Sequence, residues 1–236
     1  MHAVREWLQQ ARSVAVLTGA GVSAESGVPT FRGAHGLWKQ YRAEDLATPG
    51  AFARDPKLVW EWYDWRRGLI AQTKPNPAHF ALAQLEQRIP KFTLITQNVD
   101  GLHEQAGSRN LLEVHGSIWK VRCMACGEER TDRRAPIGEI PPKCACGGML
   151  RPGVVWFGES LPSKIWDRAE EAARSAELFL VAGTSAVVYP AAGLAQIAKS
   201  AGARVVEINI EKTPLSNVID SFLQGPCGEL LPRLIA

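Results

Sequence analysis

Four short apolar, β-branched runs stand out along the chain: Ser13-Val14-Ala15-Val16-Leu17-Thr18, Phe92-Thr93-Leu94-Ile95-Thr96, Glu177 to Val181 and Arg204 to Ile208. Near-continuous apolarity over so few positions predicts strands buried on both faces. Between them lie helical patterns. Asp55-Pro56, Asn76-Pro77 and Tyr189-Pro190 mark helix starts, because a first turn tolerates proline's missing N–H. Gly202 is the expected stop of the helix beginning near Pro190. Strand–helix–strand alternation predicts an α/β fold with a doubly wound parallel sheet.

Each predicted strand runs directly into a small or polar motif: Gly19-Ala20-Gly21, Gln97-Asn98-Val99-Asp100, Gly183-Thr184-Ser185 and Asn209. Ligands of such sheets bind beyond the carboxyl ends of the strands, so these distant motifs are expected to converge on one site. Two stretches break the alternation. Residues 31–75 are aromatic and helical, without a clear strand. Residues 119–151 carry the clustered cysteines, a charge run from Glu128 to Arg134, and Pro141-Pro142. Together they are expected to form a smaller zinc-binding and helical domain. It would be inserted into a sheet domain made of residues 1–30, 76–118 and 152–236.

Composition narrows the classes. The 236 residues are 46% hydrophobic and 22% charged, an ordinary globular balance. A net charge of +3, from 27 basic and 24 acidic residues, argues for neither nucleic acid nor a membrane surface as partner. No apolar stretch approaches the roughly 18 residues of a membrane helix, and no targeting signal is visible, so the expected location is cytoplasmic. The oligomeric expectation is a monomer.

Gly19-Ala20-Gly21-Val22-Ser23-Ala24 fits a dinucleotide fingerprint with alanine at its third small position. The first glycine permits the tight turn, the second lets backbone approach a pyrophosphate, and the helix start favours its charge. The plain alternative is a strand–helix turn. A hydride-transfer enzyme would return to a second strand with an acidic residue about 20 positions on. Here the chain enters Ser26-Gly27-Val28-Pro29-Thr30-Phe31-Arg32-Gly33 instead. That loop suggests a lid over a cofactor consumed as substrate.

Of five cysteines, four are paired as Cys123-x2-Cys126 and Cys144-x-Cys146 with 17 residues between the pairs. Thiolates so spaced close a tetrahedral zinc site, and four protein ligands leave no open position, so the metal is expected to be structural. The second pair is one residue tighter than the usual gap. The alternative is four free buried thiols.

These blocks, taken in order, resemble the sirtuin family. Gly19 through Arg32 looks like its signature. Thr96-Gln97-Asn98-Val99-Asp100-Gly101-Leu102-His103 looks like its second block. Val114-His115-Gly116-Ser117 resembles its catalytic histidine segment, and Val154-Val155-Trp156-Phe157-Gly158-Glu159 its peptide-binding loop. The resemblance covers nearly the whole chain. It implies a Rossmann-like domain, a structural Zn2+, and NAD-dependent removal of acyl groups from lysines of proteins or peptides. The implied products are nicotinamide, free lysine and an acyl-ADP-ribose.

By the same resemblance His115 is the catalytic base. It deprotonates a ribose hydroxyl after the acyl oxygen has displaced nicotinamide. Imidazole suits a base working near neutral pH. Asn98 is implied to assist at the ribose, and Asp100 to hold the nicotinamide amide. Implied cofactor contacts are Gly19, Ala20, Gly21, Ser23, Ala24, Glu25, Thr30, Phe31, Arg32, Trp38, Gln97, Val99, Gly183, Thr184, Ser185, Asn209, Ile210, Glu211 and Cys227, with His103 as a further candidate. Implied substrate contacts include Val154, Val155, Phe157, Gly158 and Glu159.

Tyr63 and Arg66 lie three apart on a predicted helix and share a face. A guanidinium fork beside a phenol is a good receptor for a carboxylate. The pair resembles the motif of the sirtuin branch that removes succinyl and malonyl groups. Ala43-Glu44-Asp45-Leu46-Ala47-Thr48-Pro49 is similar to the same branch, and Ala43 is implied to leave room for a longer acyl chain. The plain alternative is an aromatic packing helix with a surface arginine. Arg67 is expected to be a solvated charge. The competing functions are mono-ADP-ribosyl transfer and a non-catalytic NAD or ADP-ribose sensor.

Overall fold

The computed structural model describes residues 1–29 and 41–236. Its strands, in chain order, are β1 (Ser13–Thr18), β2 (Lys91–Thr96), β3 (Leu111–Glu113), β4 (Gly116–Cys123), β5 (Glu129–Thr131), β6 (Leu150–Val154), β7 (Leu178–Ala182), β8 (Arg204–Asn209) and β9 (Ser221–Gln224). The four apolar runs are β1, β2, β7 and β8. They form the middle of a six-stranded parallel sheet ordered β3-β2-β1-β7-β8-β9. Strands β3 and β9 are short, partly buried edges, and neither carries an apolar run that would announce it.

Every residue of β1 and β7 is buried. Successive side chains point to opposite faces, so β1 feeds two cores. Val14 and Val16 pack with Leu94, Leu180 and Val206 under helices His2–Gln10, Pro77–Arg88 and Cys227–Ile235. Ala15 and Leu17 pack with Ile95, Phe179 and Val205 under helices Ser163–Ser175 and Leu194–Ser200. The chain lays β2 and β3 on one side of β1, then returns to lay β7, β8 and β9 on the other. The order therefore reverses at β1 and β7, and a crevice opens beyond their carboxyl ends.

The Tyr189-Pro190 start is displaced, with a 3₁₀ turn at Ala191–Gly193 preceding the helix proper. Gly202 follows that helix at φ +98°. The Gly202 N–H donates to Lys199 O and the Ala203 N–H to Ala198 O, satisfying its last carbonyls.

A second, antiparallel sheet has the order β5-β4-β6. Helices Ala43–Leu46, Pro49–Arg54 and Pro56–Ala71 share its core, which includes Trp60, Ile70, Ile118, Val121 and Leu150. Helix Pro56–Ala71 starts where Asp55 accepts from the Leu58 N–H, with Pro56 in the first turn. Arg67 is not solvated, contrary to expectation, but fully buried. It falls one heptad beyond Trp60, on the face turned into the core. Its Nε donates to Ile118 O at 2.9 Å, Asp132 faces its Nη1 at 3.8 Å, and Trp60 and Trp119 lie beside the guanidinium. Burial lowers its pKa to about 10, with Asp132 opposing the shift. Among the described residues no helix is long and apolar enough to cross a membrane.

Candidate active site

The tips of β1 and β7 meet through bare backbone. The Gly21 N–H donates to Gly183 O at 2.7 Å. A Cβ on Gly19 would lie 2.6 Å from the Thr184 Cβ, and one on Gly183 would lie 2.4 Å from Val22 N. Gly183 also holds φ +59°, a left-handed conformation that favours glycine. Polar side chains then cross-brace the tips. Gln97 Nε2 donates to Thr184 Oγ1 at 3.0 Å, and Asn209 Nδ2 donates to Thr184 O at 2.8 Å. All four strand-end motifs thus border one cleft of about 890 Å³.

His115 sits between β3 of the parallel sheet and β4 of the small one, and it lines the cleft. The next residue, Gly116, has φ +75°, and a Cβ there would meet Gly153 O at 2.3 Å. Only glycine fits this crossing onto β6. The His115 Nδ1 lies 3.1 Å from Gln97 O. A carbonyl only accepts, so Nδ1 carries the proton and Nε2 keeps its lone pair. Burial lowers the His115 pKa below the ordinary 6.5, partly opposed by that hydrogen bond. The ring is a neutral base at pH 7.

Asn98 donates from Nδ2 to Gly19 O at 3.0 Å and to Ser23 Oγ at 3.1 Å. Both amide hydrogens are committed inward, which leaves Oδ1 to accept. Ser23 donates to Asp100 Oδ2 at 2.8 Å, and Asp100 Oδ1 accepts from the Leu102 N–H at 2.9 Å. Burial pushes the Asp100 carboxyl up, while these donors and Arg66 hold it down. Behind them lies His79, absent from the sequence-based candidates. Its Nδ1 accepts from the Asn76 N–H at 3.2 Å, and its Nε2 faces Ser23 Oγ at 3.4 Å. The only sequence signal for it was its place three residues after the Asn76 cap. The His79 ring packs against His103 at 4.7 Å, tilted by 55°, and the His103 Nε2 meets Thr18 Oγ1 at 3.0 Å. Burial lowers the His79 pKa to about 4 and drives that of His103 well down.

The opposite wall comes from the small sheet and its helices. Tyr63 and Arg66 are both buried and both line the cleft. The Arg66 guanidinium lies 5.3 Å from the Trp62 ring centroid, and burial lowers its pKa against the pull of Tyr63 and Asp100. Val154, Val155, Phe157, Gly158 and Glu159 line the same opening, and the Phe157 N–H donates to Ala47 O at 2.9 Å. Glu159 is engaged within the protein by Arg151, at 2.6 and 2.9 Å.

The cleft wall also includes Ala20, Gly21, Val99, Ser185, Ile210 and Glu211. Gly19, Ser23, Ala24, Glu25, Asp100 and Cys227 do not line it: Ser23, Asp100 and Cys227 are buried, and Ala24 and Glu25 are exposed. Glu25 accepts from the Gly228 N–H at 2.8 Å, and the buried Cys227 thiol, its pKa raised to about 12 by burial, faces Ile208 O. Ala43 is buried in the small core rather than on the cleft, where Glu44 and Ala47 stand instead. Thr30, Phe31, Arg32 and Trp38 lie outside the described residues. Trp62, Trp156 and Tyr189 line the cleft without having been singled out. Aromatic residues in a packed helix or loop give no pattern that separates core from cleft.

Cys123, Cys126, Cys144 and Cys146 bring their four sulfurs within 4.8 Å of one another. A tetrahedron with Zn–S of about 2.3 Å needs sulfurs about 3.8 Å apart. Cys123–Cys146 at 3.5 Å and Cys126–Cys144 at 3.9 Å fit it. A Cβ on Gly148 would come 2.8 Å from Cys123 Sγ, so the cradle itself requires glycine.

The Sir2 family model matches residues 19–190. An NAD-dependent protein deacylase of Aquifex aeolicus is 59% identical over 223 residues, covering 94% of this chain and 93% of that protein. NAD-dependent protein deacylase 2 of Pyrobaculum aerophilum is 55% identical over 98% of this chain and 93% of its own length. A crystal structure of a Sir2 homologue–NAD complex superposes with TM-score 0.95 at 49% identity, covering 100% of this chain and 92% of that one. A Sir2 protein bound to deacetylated p53 peptide and 3'-O-acetyl-ADP-ribose matches with TM-score 0.91 at 32% identity, over 100% of this chain and 97% of that one.

Proposed function

The chain belongs to the Sir2 family and is an NAD-dependent protein deacylase, and from that premise we propose that its preferred substrates are lysines carrying acidic acyl groups, succinyl and malonyl, with acetyl a poorer one. The observation that carries this reading is the pairing of a buried phenol and a buried guanidinium, Tyr63 and Arg66, on the cleft that also holds His115. A carboxylate ending the acyl chain can accept from both the phenol and the guanidinium, and an acetyl methyl can accept from neither.

NAD, when bound, supplies an ADP-ribosyl centre from which nicotinamide leaves. The chain's own residues do the rest. His115 keeps its Nδ1 proton on Gln97 O, so Nε2 is the base that takes a ribose hydroxyl proton. Asn98 offers its carbonyl oxygen to the ribose. Asp100, held by Ser23 and the Leu102 N–H just outside the cleft lining, is the carboxylate that would orient the carboxamide once NAD is seated. The strip Val154–Glu159 supports the substrate peptide, and the residues following β8, Ile210 and Glu211, border the cofactor. The zinc module holds the small domain together without entering the chemistry. The two sheets and their separate cores support the same division into a cofactor domain and an inserted domain.

The test is product analysis. Protein, NAD and a panel of succinyl-, malonyl- and acetyl-lysine peptides are incubated, and products are followed by mass spectrometry. The expected result is free lysine with acyl-ADP-ribose, faster from the acidic acyl groups. Faster deacetylation refutes the acyl preference, and ADP-ribosylated protein in place of free lysine refutes the reaction.

A further inference from the structure

Tyr63 does not stand alone in its pocket. The Trp156 Nε1 lies 3.0 Å from the Tyr63 oxygen. An indole N–H only donates, so the direction of this bond is fixed and the phenol is the acceptor. The hydroxyl therefore keeps its own proton to give, and among the described residues no group accepts it. Burial raises the Tyr63 pKa, so the proton stays on the oxygen.

The indole is itself clamped. The Arg151 guanidinium lies 3.5 Å from its ring centroid, and Phe52 packs at 5.1 Å. Arg151 is fixed by two hydrogen bonds to Glu159 and one to Val154 O. Glu159 in turn accepts from the Trp156 backbone N–H at 2.9 Å. The loop bearing Trp156 is thus tied on several sides at the residue that touches Tyr63.

We propose that Trp156 is a positioning residue for acyl selectivity: its N–H occupies one lone pair of the Tyr63 oxygen and turns the hydroxyl proton toward the carboxylate of the bound acyl group. The inference rests on the acidic-acyl reading and extends it to a residue that acts through Tyr63. It also gives the Arg151–Glu159 pair a purpose, which is to hold the indole in register.

Trp156→Phe keeps an aromatic ring and removes the N–H. An indole analogue with sulfur in place of the N–H, introduced at the same position, also keeps the bicyclic shape. Steady-state kinetics on succinyl- and acetyl-lysine peptides are compared for the wild type, both 156 variants, Tyr63→Phe, Trp156→Phe/Tyr63→Phe and Arg66→Met. Loss of one neutral hydrogen bond is expected to lower the succinyl-to-acetyl ratio of kcat/KM about three- to tenfold, chiefly through KM for the succinyl peptide. In the Tyr63→Phe background, Trp156→Phe is expected to lower the ratio no further. If Arg66→Met leaves the ratio unchanged, the acidic-acyl reading fails and the inference falls with it. If Arg66→Met lowers the ratio while both 156 variants leave it at the wild-type value, the inference alone is overturned. An additional loss in the Tyr63→Phe background also overturns it, because Trp156 would then not act through Tyr63.

Discussion

One wall of the cleft is backbone, where Gly21 and Gly183 bring two strand tips into contact and leave no room for a Cβ. The facing wall is side chain, where Tyr63, Arg66 and Trp156 converge from a helix and a loop of the small sheet. A wall of glycines tolerates little variation, because its surface is the chain itself. A wall of side chains on a separate core can change what it accepts while the cofactor half stays as it is. On this account, cleavage chemistry belongs to the strand-tip side and acyl choice to the helical side. His115 lies where the two sheets join.

His115→Ala should give the largest effect and spare neither side. A lost general base costs about 10²- to 10⁴-fold, and kcat should fall alike for succinyl and acetyl peptides. A loss confined to one acyl group would break the proposed division.

Arg67→Ala comes next and tests the neighbour of Arg66 that faces inward. Asp132 keeps Arg134 at 2.6 Å, so the loss is that of the buried side chain packed by Trp60 and Trp119 and of its hydrogen bond to Ile118 O, about 3 kcal/mol. Chemical denaturation should show that loss, while the acyl ratio of the folded enzyme stays at the wild-type value. Gly183→Ala should then strike only the cofactor side. Its new Cβ needs room held by Val22 N, 2.4 Å away, and the left-handed backbone adds strain. Overpacking of this order costs about 1–3 kcal/mol, expected as a rise of about tenfold or more in KM for NAD with an unchanged acyl ratio.

The smallest effects are in pH. The base must be neutral to act, and burial lowers the His115 pKa from 6.5. The acid limb of kcat/KM should therefore have its midpoint below 6.5, and one above 6.5 would contradict the assigned burial. His79 bears on stability. Its folded pKa is about 4 against 6.5 unfolded, so between those values the unfolded state binds the extra proton. Its contribution is complete above about pH 6.5 and declines as pH falls toward about 4. Thermal melts across that window should show a falling Tm, less steep in His79→Asn.

Much of this was legible in the sequence, for reasons that follow from the same contrast. Strands β1, β2, β7 and β8 are buried on both faces and so read as apolar runs. The edge strands β3 and β9 are half-exposed and three or four residues long, and they left no such trace. The glycine motif and the cysteine spacing are local, so they survive as patterns. Arg67 was misread because an arginine in an aromatic helix carries no sign of which face it takes. Its burial depends on Asp132 and Ile118, far along the chain. His79 and Trp156 act through partners distant in sequence, Ser23 and Tyr63. Tertiary pairing of this kind is invisible until the chain is folded.

The central claim is tested most directly by the ratio of kcat/KM on succinyl- and acetyl-lysine versions of one peptide, measured for the wild type and Arg66→Met. Loss of a charged hydrogen bond to the acyl carboxylate should lower that ratio about 10- to 100-fold, with deacetylation within about threefold of wild type, a change of about 0.7 kcal/mol. An equal loss on both substrates would contradict it.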